Sequence, residues 1–140
     1  MKTTNVDAVR AAVAALNARD VDGYRRAFTN DCTRVVQGLA EPLAIDDAVA
    51  GLAMFMDAVD DFRLEELLLF GQGRHVCARW LMCGVHVREY VGLPPTGRAI
   101  RFETAEVYEF ETEAGGLVTT SWSYGDVDSM LEQMSGGGAA

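Results

Sequence analysis

The chain has 140 residues, 49% hydrophobic and 24% charged, the balance of one globular domain with a core large enough to fold alone. Twelve basic against twenty-one acidic residues leave a net charge of −9, which argues against nucleic acid or an anionic membrane as partner, because both are bound through positive charge. No apolar run approaches the roughly 20 residues of a membrane span, and the polar opening Met1-Lys2-Thr3-Thr4-Asn5 has no signal-peptide character, so the cytoplasm is the expected compartment.

The first third reads as helices. Val6, Val9, Val13 and Leu16 recur at helical spacing until Asn17-Ala18-Arg19-Asp20 breaks the pattern. Asp20 is placed to cap a second, short helix with the stripe Val21, Tyr24 and Phe28, ended by Thr29-Asn30-Asp31. Residues 32–37 read as a short strand. Asp46 and Asp47 suit the start of a third helix, whose face carries Ile45, Val49, Leu52, Met56 and Val59 and which Asp60-Asp61 closes. From Phe62 onward the pattern turns to strands, expected over 63–70, 76–90, 99–111 and 117–124 and joined by GQGR, GLPPTGR and TEAGG. An amphipathic turn over 127–134 precedes a glycine-rich tail. Three helices followed by a long-stranded antiparallel sheet make an α+β domain over 1–134, with 135–140 as a flexible tail.

Period-two alternation places Phe102, Thr104, Glu106, Tyr108 and Phe110 on one face of the third long strand, opposite Arg101, Glu103, Glu109 and Glu111. A carboxyl group amid aromatic surface is costly to ionise, so Glu106 is expected to have a raised pKa, as a general acid or a base poised near neutrality requires. The plainer alternative is that Glu106 pairs with a nearby arginine and serves packing. The preceding strand places Trp80, Met82, Gly84, His86, Arg88 and Tyr90 on one face, and His86 is expected to share the cavity of Glu106. The opposite face, with Leu81, Cys83, Val85 and Val87, suits a dimer contact. The last strand puts Trp122, Tyr124 and Asp126 on one face, with Ser121 and Ser123 expected toward solvent. Asp126 either caps the final helical turn or adds a second acid at the rim.

Cys32, Cys77 and Cys83 are odd in number, lack CxxC spacing and read as small apolar side chains. His75 and His86 form no metal-ligand pair, and P-loop, GxGxxG and GxSxG motifs are missing from the sequence, so neither metal nor nucleotide is expected. The residues pooled on the inner face suit moving a proton on and off carbon beside a carbonyl, or passive binding of a flat apolar ligand.

Ala-Leu-Asn-Ala-Arg-Asp (15–20), Glu-Pro-Leu (41–43), Asp-Asp-Ala-Val (46–49), Ala-Arg-Trp (78–80), Gly-Val-His (84–86), GLPPTGR (92–98), Glu-Val-Tyr-Glu-Phe (106–110) and Trp-Ser-Tyr-Gly-Asp (122–126) follow one another in an order and spacing that resembles the SnoaL-like polyketide cyclases of the nuclear-transport-factor-2-like superfamily. The resemblance implies a cone-shaped fold, in which a curved antiparallel sheet wraps around three helices and encloses one pocket. It also implies a homodimer and cofactor-independent, aldol-type ring closure of an aromatic or polycyclic carbonyl substrate in secondary metabolism. By the same resemblance Glu106, where the family usually has Asp, is the acid/base, His86 holds the reacting oxygen and Asp126 assists. Trp80, Phe102, Tyr108, Trp122, Tyr24 and Arg88 would hold the substrate. An isomerase-type base would fall at Val36 and its helix tyrosine at Ala12, so ketosteroid isomerase chemistry is not expected. A non-catalytic binder of a hydrophobic small molecule, or a hydroxylase or hydrolase relative, is the alternative.

Overall fold

The computed structural model describes residues 2–136. Thr4 opens α1 (Asn5–Asn17) by accepting from the Asp7 N–H at 3.1 Å. Val9, Ala12, Val13 and Leu16 are buried along one face of α1. Asn17 clamps the end of that helix to a strand, accepting from the Leu64 N–H at 2.8 Å and donating to the Leu64 carbonyl at 3.0 Å. Asp20 caps α2 (Val21–Arg25) as expected, accepting from the Gly23 N–H at 2.9 Å. A Cβ on Gly23 would lie 2.3 Å from Asp20 Oδ2, so a larger residue there would displace the capping carboxylate.

The stripe Val21, Tyr24, Phe28 is not one helix face, because α2 stops early and Phe28 begins β1 (Phe28–Val36). The cause lies far along the chain: the Val118 N–H donates to the Ala27 carbonyl at 2.9 Å, and Phe28 pairs with Val118. Sheet pairing therefore overrides the turn-forming residues Thr29-Asn30-Asp31. The remaining elements are β2 (Leu43–Ala44), α3 (Ile45–Ala58), β3 (Val59–Gln72), β4 (His75–His86), β5 (Ala99–Phe110), β6 (Val118–Gly125) and α4 (Val127–Ser135).

Three further expectations on boundaries are corrected. Asp60-Asp61 do not end a helix by turning; α3 passes directly into β3, where Val59 pairs with His86 and Asp61 adopts φ 55°. β4 stops at His86 rather than 90, because the Gly97 N–H donates to the His86 carbonyl at 2.7 Å and the GLPPTGR segment folds back. The final turn, expected over 127–134, is α4 and includes Ser135, with Gly136 at φ 74° as its cap; residues 137–140, expected in the flexible tail, lie outside the described residues.

Six strands form one curved, unclosed sheet in the order β2-β1-β6-β5-β4-β3. All pairs are antiparallel except β1 with β6, which run parallel. Helices pack on the inner face, where Val76, Trp80, Ile100, Tyr108, Phe110 and Val118 meet Val9, Val13, Leu16 and Phe55. Burying a side chain such as Phe110, 1% exposed, contributes about 2–3 kcal/mol.

Candidate active site

Directly opposed residues in a sheet share a face. Trp80 opposes Thr104, Ala78 opposes Glu106, Glu106 opposes Ser123, Tyr108 opposes Ser121, and Ser121 opposes Arg34. The pleat thus brings Trp80 from β4, Glu106 and Tyr108 from β5, Ser121 and Ser123 from β6, and Arg34 from β1 to one inner surface. The expected inward set Phe102, Thr104, Glu106, Tyr108 and Phe110 is the observed one.

Both oxygens of Glu106 are engaged. The Arg34 guanidinium donates to Oε1 and the Tyr108 hydroxyl donates to Oε2. Arg34 also donates to Ser121 Oγ at 3.3 Å, and the Trp80 indole N–H donates to the Tyr108 oxygen at 3.3 Å. A continuous chain of donors therefore runs Trp80, Tyr108, Glu106, with Arg34 closing it from the other side. The carboxyl group is not isolated among aromatic rings, as the strand pattern alone suggests; it sits in an ion pair whose side chains are 16% (Arg34) and 12% (Glu106) exposed.

Burial, reinforced by Glu106 and Tyr24, holds the Tyr108 phenol well above the usual tyrosine value. Burial also pushes Tyr24 up to about 12; Arg34 acts against this and Glu106 with it. Both phenols therefore stay protonated donors beside the carboxylate. Burial works against the charge on Arg34, yet Glu106 and the two tyrosines outweigh it and hold the guanidinium even more firmly protonated than usual.

Four of the residues singled out in the sequence meet here: Glu106, Tyr108, Trp80 and Tyr24. Phe102 and His86 face the same side but lie further along the sheet. Glu106 opposes Ala78, eight residues from His86 on β4, which at about 3.3 Å per residue is roughly 25 Å along the strand. The expected shared cavity of Glu106 and His86 is therefore not formed. His86 is fully buried, its Nδ1 lies 3.2 Å from Thr96 Oγ1, and its backbone pairs with Gly97 and Arg98 at the end of the returning GLPPTGR segment.

Trp122 faces away. It opposes Val107 and Val35, on the outer side of the sheet, while Ser121 and Ser123 turn inward, the reverse of the expectation. Ser121 is 0% exposed and Tyr124 is 45% exposed. Arg88 is exposed and donates to the carbonyls of Asp57 and Val59 and to Asp60, finishing the C-terminal end of α3 rather than lining the site. Asp126 caps α4 by accepting from the Ser129 N–H at 3.0 Å.

Arg34 and Ser121 escaped the sequence reading. The parallel pairing of β1 with β6 places them, and no local pattern signals a pairing across 87 positions; Cys32, Arg34 and Val36 alternating on β1 was the only available hint. An open groove of about 810 Å³ lies where β1 and β6 end, lined in part by Val36, Leu39, Tyr124, Gly125 and Asp126. Val36 opposes Ser123, which opposes Glu106, so this groove begins two strand spacings, about 10 Å, from the carboxylate. Among the described residues no three His, Cys, Asp or Glu side chains gather to hold a metal ion, and no helix is long and apolar enough to cross a membrane.

The α+β fold with its curved open sheet is that of nuclear-transport-factor-2-like proteins. Within that class, residues 6–134 match the family described as SnoaL-like polyketide cyclase, and the chain belongs to it. Among solved structures the chain is similar to AclR of Streptomyces galilaeus, described as a candidate hydroxylase, at 21% identity and a TM-score of 0.82 over 91% of this chain and 78% of that one. It is similar to IdmH of Streptomyces antibioticus, a candidate polyketide cyclase, at 20% identity and 0.78 over 91% and 96%. A candidate SnoaL-like polyketide cyclase from Jannaschia sp. CCS1 is similar at 18% identity and 0.80 over 96% and 93%. At these identities the likeness is one of fold. No curated protein matches the chain.

Proposed function

We propose that this protein is a cofactor-independent acid/base enzyme that removes a proton from carbon beside a carbonyl, in a cyclase-type reaction on an aromatic or polycyclic substrate. The observation that carries the reading is the placement of Glu106: a carboxylate held by Arg34 and Tyr108 on the inner face, 12% exposed, two strands from an open groove. Structural ion pairs are common, but this one stands on a concave surface with two protonated phenols close by, an arrangement that suits proton transfer. Trp80, Tyr108 and Tyr24 form its aromatic wall. Membership in the family supports the kind of reaction, and the likeness to a candidate hydroxylase keeps oxygen chemistry as the second reading.

The same proposal covers assembly and compartment: a cytoplasmic homodimer. Leu68 and Phe70 of β3, Leu81 of β4, Val107 of β5 and Trp122 and Tyr124 of β6 form an apolar outer face. Leu68 is 45% and Phe70 53% exposed. Arg79–Glu103 and Arg63–Glu65 ion pairs lie on that same face. A second copy is the occupant that such a self-complementary mixture fits.

The test is exchange of carbon-bound protons in deuterated water across a panel of aromatic keto esters, followed by NMR. Protein-dependent exchange on at least one compound is expected. Tight binding with no exchange on any bound compound would replace the enzyme by a carrier. Incorporation of oxygen from dioxygen or water into product would move the protein to the hydroxylase or hydrolase reading.

A further inference from the structure

The ion pair that holds Glu106 also supplies what proton removal needs next. A guanidinium carries five N–H donors, and the side chains of Glu106 and Ser121 take two of those on Arg34. The Tyr24 hydroxyl is close enough to act on it as well. Donors remain for another oxygen, the side chain is 16% exposed, and Val36, two residues along β1 on the same face, lines the groove. Because Arg34 and Glu106 touch, a single carbonyl group can present its α-carbon to one and its oxygen to the other.

We propose that Arg34 is a catalytic residue that receives the enolate oxygen formed when Glu106 takes the proton. This rests on the reading of Glu106 as the base. In the step, the C–H bond breaks as an O–H bond forms on Glu106. The C–H electron pair becomes the carbon–carbon double bond, and the carbonyl π pair moves onto oxygen. The negative charge leaves the carboxylate and arrives on the neighbouring oxygen. Arg34 faces one anion throughout: the carboxylate before transfer and the enolate after it. The cluster therefore keeps its net charge while the proton moves, with little reorganisation around a partly buried cation. Tyr108 and Trp80 meanwhile keep the Glu106 side chain in register. The substrate class this selects is a ketone or ester with an acidic α-hydrogen whose enolate is flat and delocalised.

The inference is testable without turnover. 2-Naphtholate is a flat aromatic oxyanion whose ionised form is distinguished by its absorbance and fluorescence. Glu106→Gln removes the competing carboxylate at almost constant shape and leaves the Arg34 charge unpaired. That variant should bind naphtholate at least about tenfold more tightly than the wild type, the worth of one charged hydrogen bond. It should take the ligand in its ionised form. Adding Arg34→Met to Glu106→Gln should abolish the gain, and this double variant restores neutrality, so it is expected to fold. Circular dichroism of the double variant confirms that comparison. Unchanged affinity in Glu106→Gln, or a gain that survives loss of Arg34, would overturn the assignment. Proton exchange by the wild type is a separate readout: exchange without anion binding at Arg34 would leave Glu106 as base and remove only this role.

Discussion

Replacing Arg34 by Met alone leaves Glu106 without its counter-charge on a surface where its side chain is 12% exposed. Removing one partner of such a pair costs about 3 kcal/mol, whereas removing both charges together costs less, because no uncompensated ion remains. Chemical denaturation should therefore rank Arg34→Met below the Arg34→Met/Glu106→Gln double variant. The reverse order would mean that the pair is not coupled in the folded state. The phenols give a second residue-scale prediction. Tyr24 and Tyr108 bind their protons more tightly folded than unfolded. Their contribution is then fully present below pH 10 and is lost as the pH rises through the folded value, about 12 for Tyr24. Stability should fall between those limits by about 2–3 kcal/mol for a two-unit shift. Tyr24→Phe should flatten the decline in urea titrations across that range; an unchanged slope would contradict the burial of the Tyr24 phenol as the cause of its raised value.

At the scale of elements, what was legible followed from local period and what was not followed from pairing. The buried stripe of α1, the Asp20 cap and the inward set on β5 all arise from residues close in sequence, and the structure shows each of them. β1 is different: its start at Phe28 and its parallel partner β6 are set by contacts with residues near 118–123, which no window on 28–36 contains. That is why the alternation on β1 does not name Arg34 as the partner of Glu106. β6 shows a related ambiguity. Ser121-Trp122-Ser123-Tyr124 alternates cleanly, but alternation assigns two faces without saying which is inside. Large apolar residues point outward here, and the small serines face the polar cluster, because Tyr108 opposite Ser121 fixes the register. His86 and Glu106 illustrate a third limit: a shared face is legible from period, but separation along that face depends on register, and here they stand far apart.

For the whole molecule, the proposed homodimer rests on the outer side of the sheet. A monomer would leave Leu68, Phe70 and Tyr124 about half exposed beside half-buried Leu81, Val107 and Trp122. Sedimentation at micromolar concentration should show two-chain particles for the wild type. Leu81→Arg, which puts a charge in the middle of that face without touching the inner cluster, should give single chains with the fold retained. A wild type that sediments as a 15.2 kDa monomer would contradict the dimer. On the inner face the Glu106 carboxyl group has Arg34 on one oxygen and Tyr108 on the other.

The most direct test of that arrangement is the rate of α-proton exchange into deuterated water for one responsive keto ester, compared between the wild type and Glu106→Gln under saturating substrate. Loss of a positioned general base removes about a hundredfold to ten-thousandfold of rate. The account predicts a drop of at least about a hundredfold, with the folded state intact by circular dichroism. Exchange in Glu106→Gln within a few-fold of the wild type would mean that the carboxylate is a structural partner of Arg34 and that the proton leaves by another route.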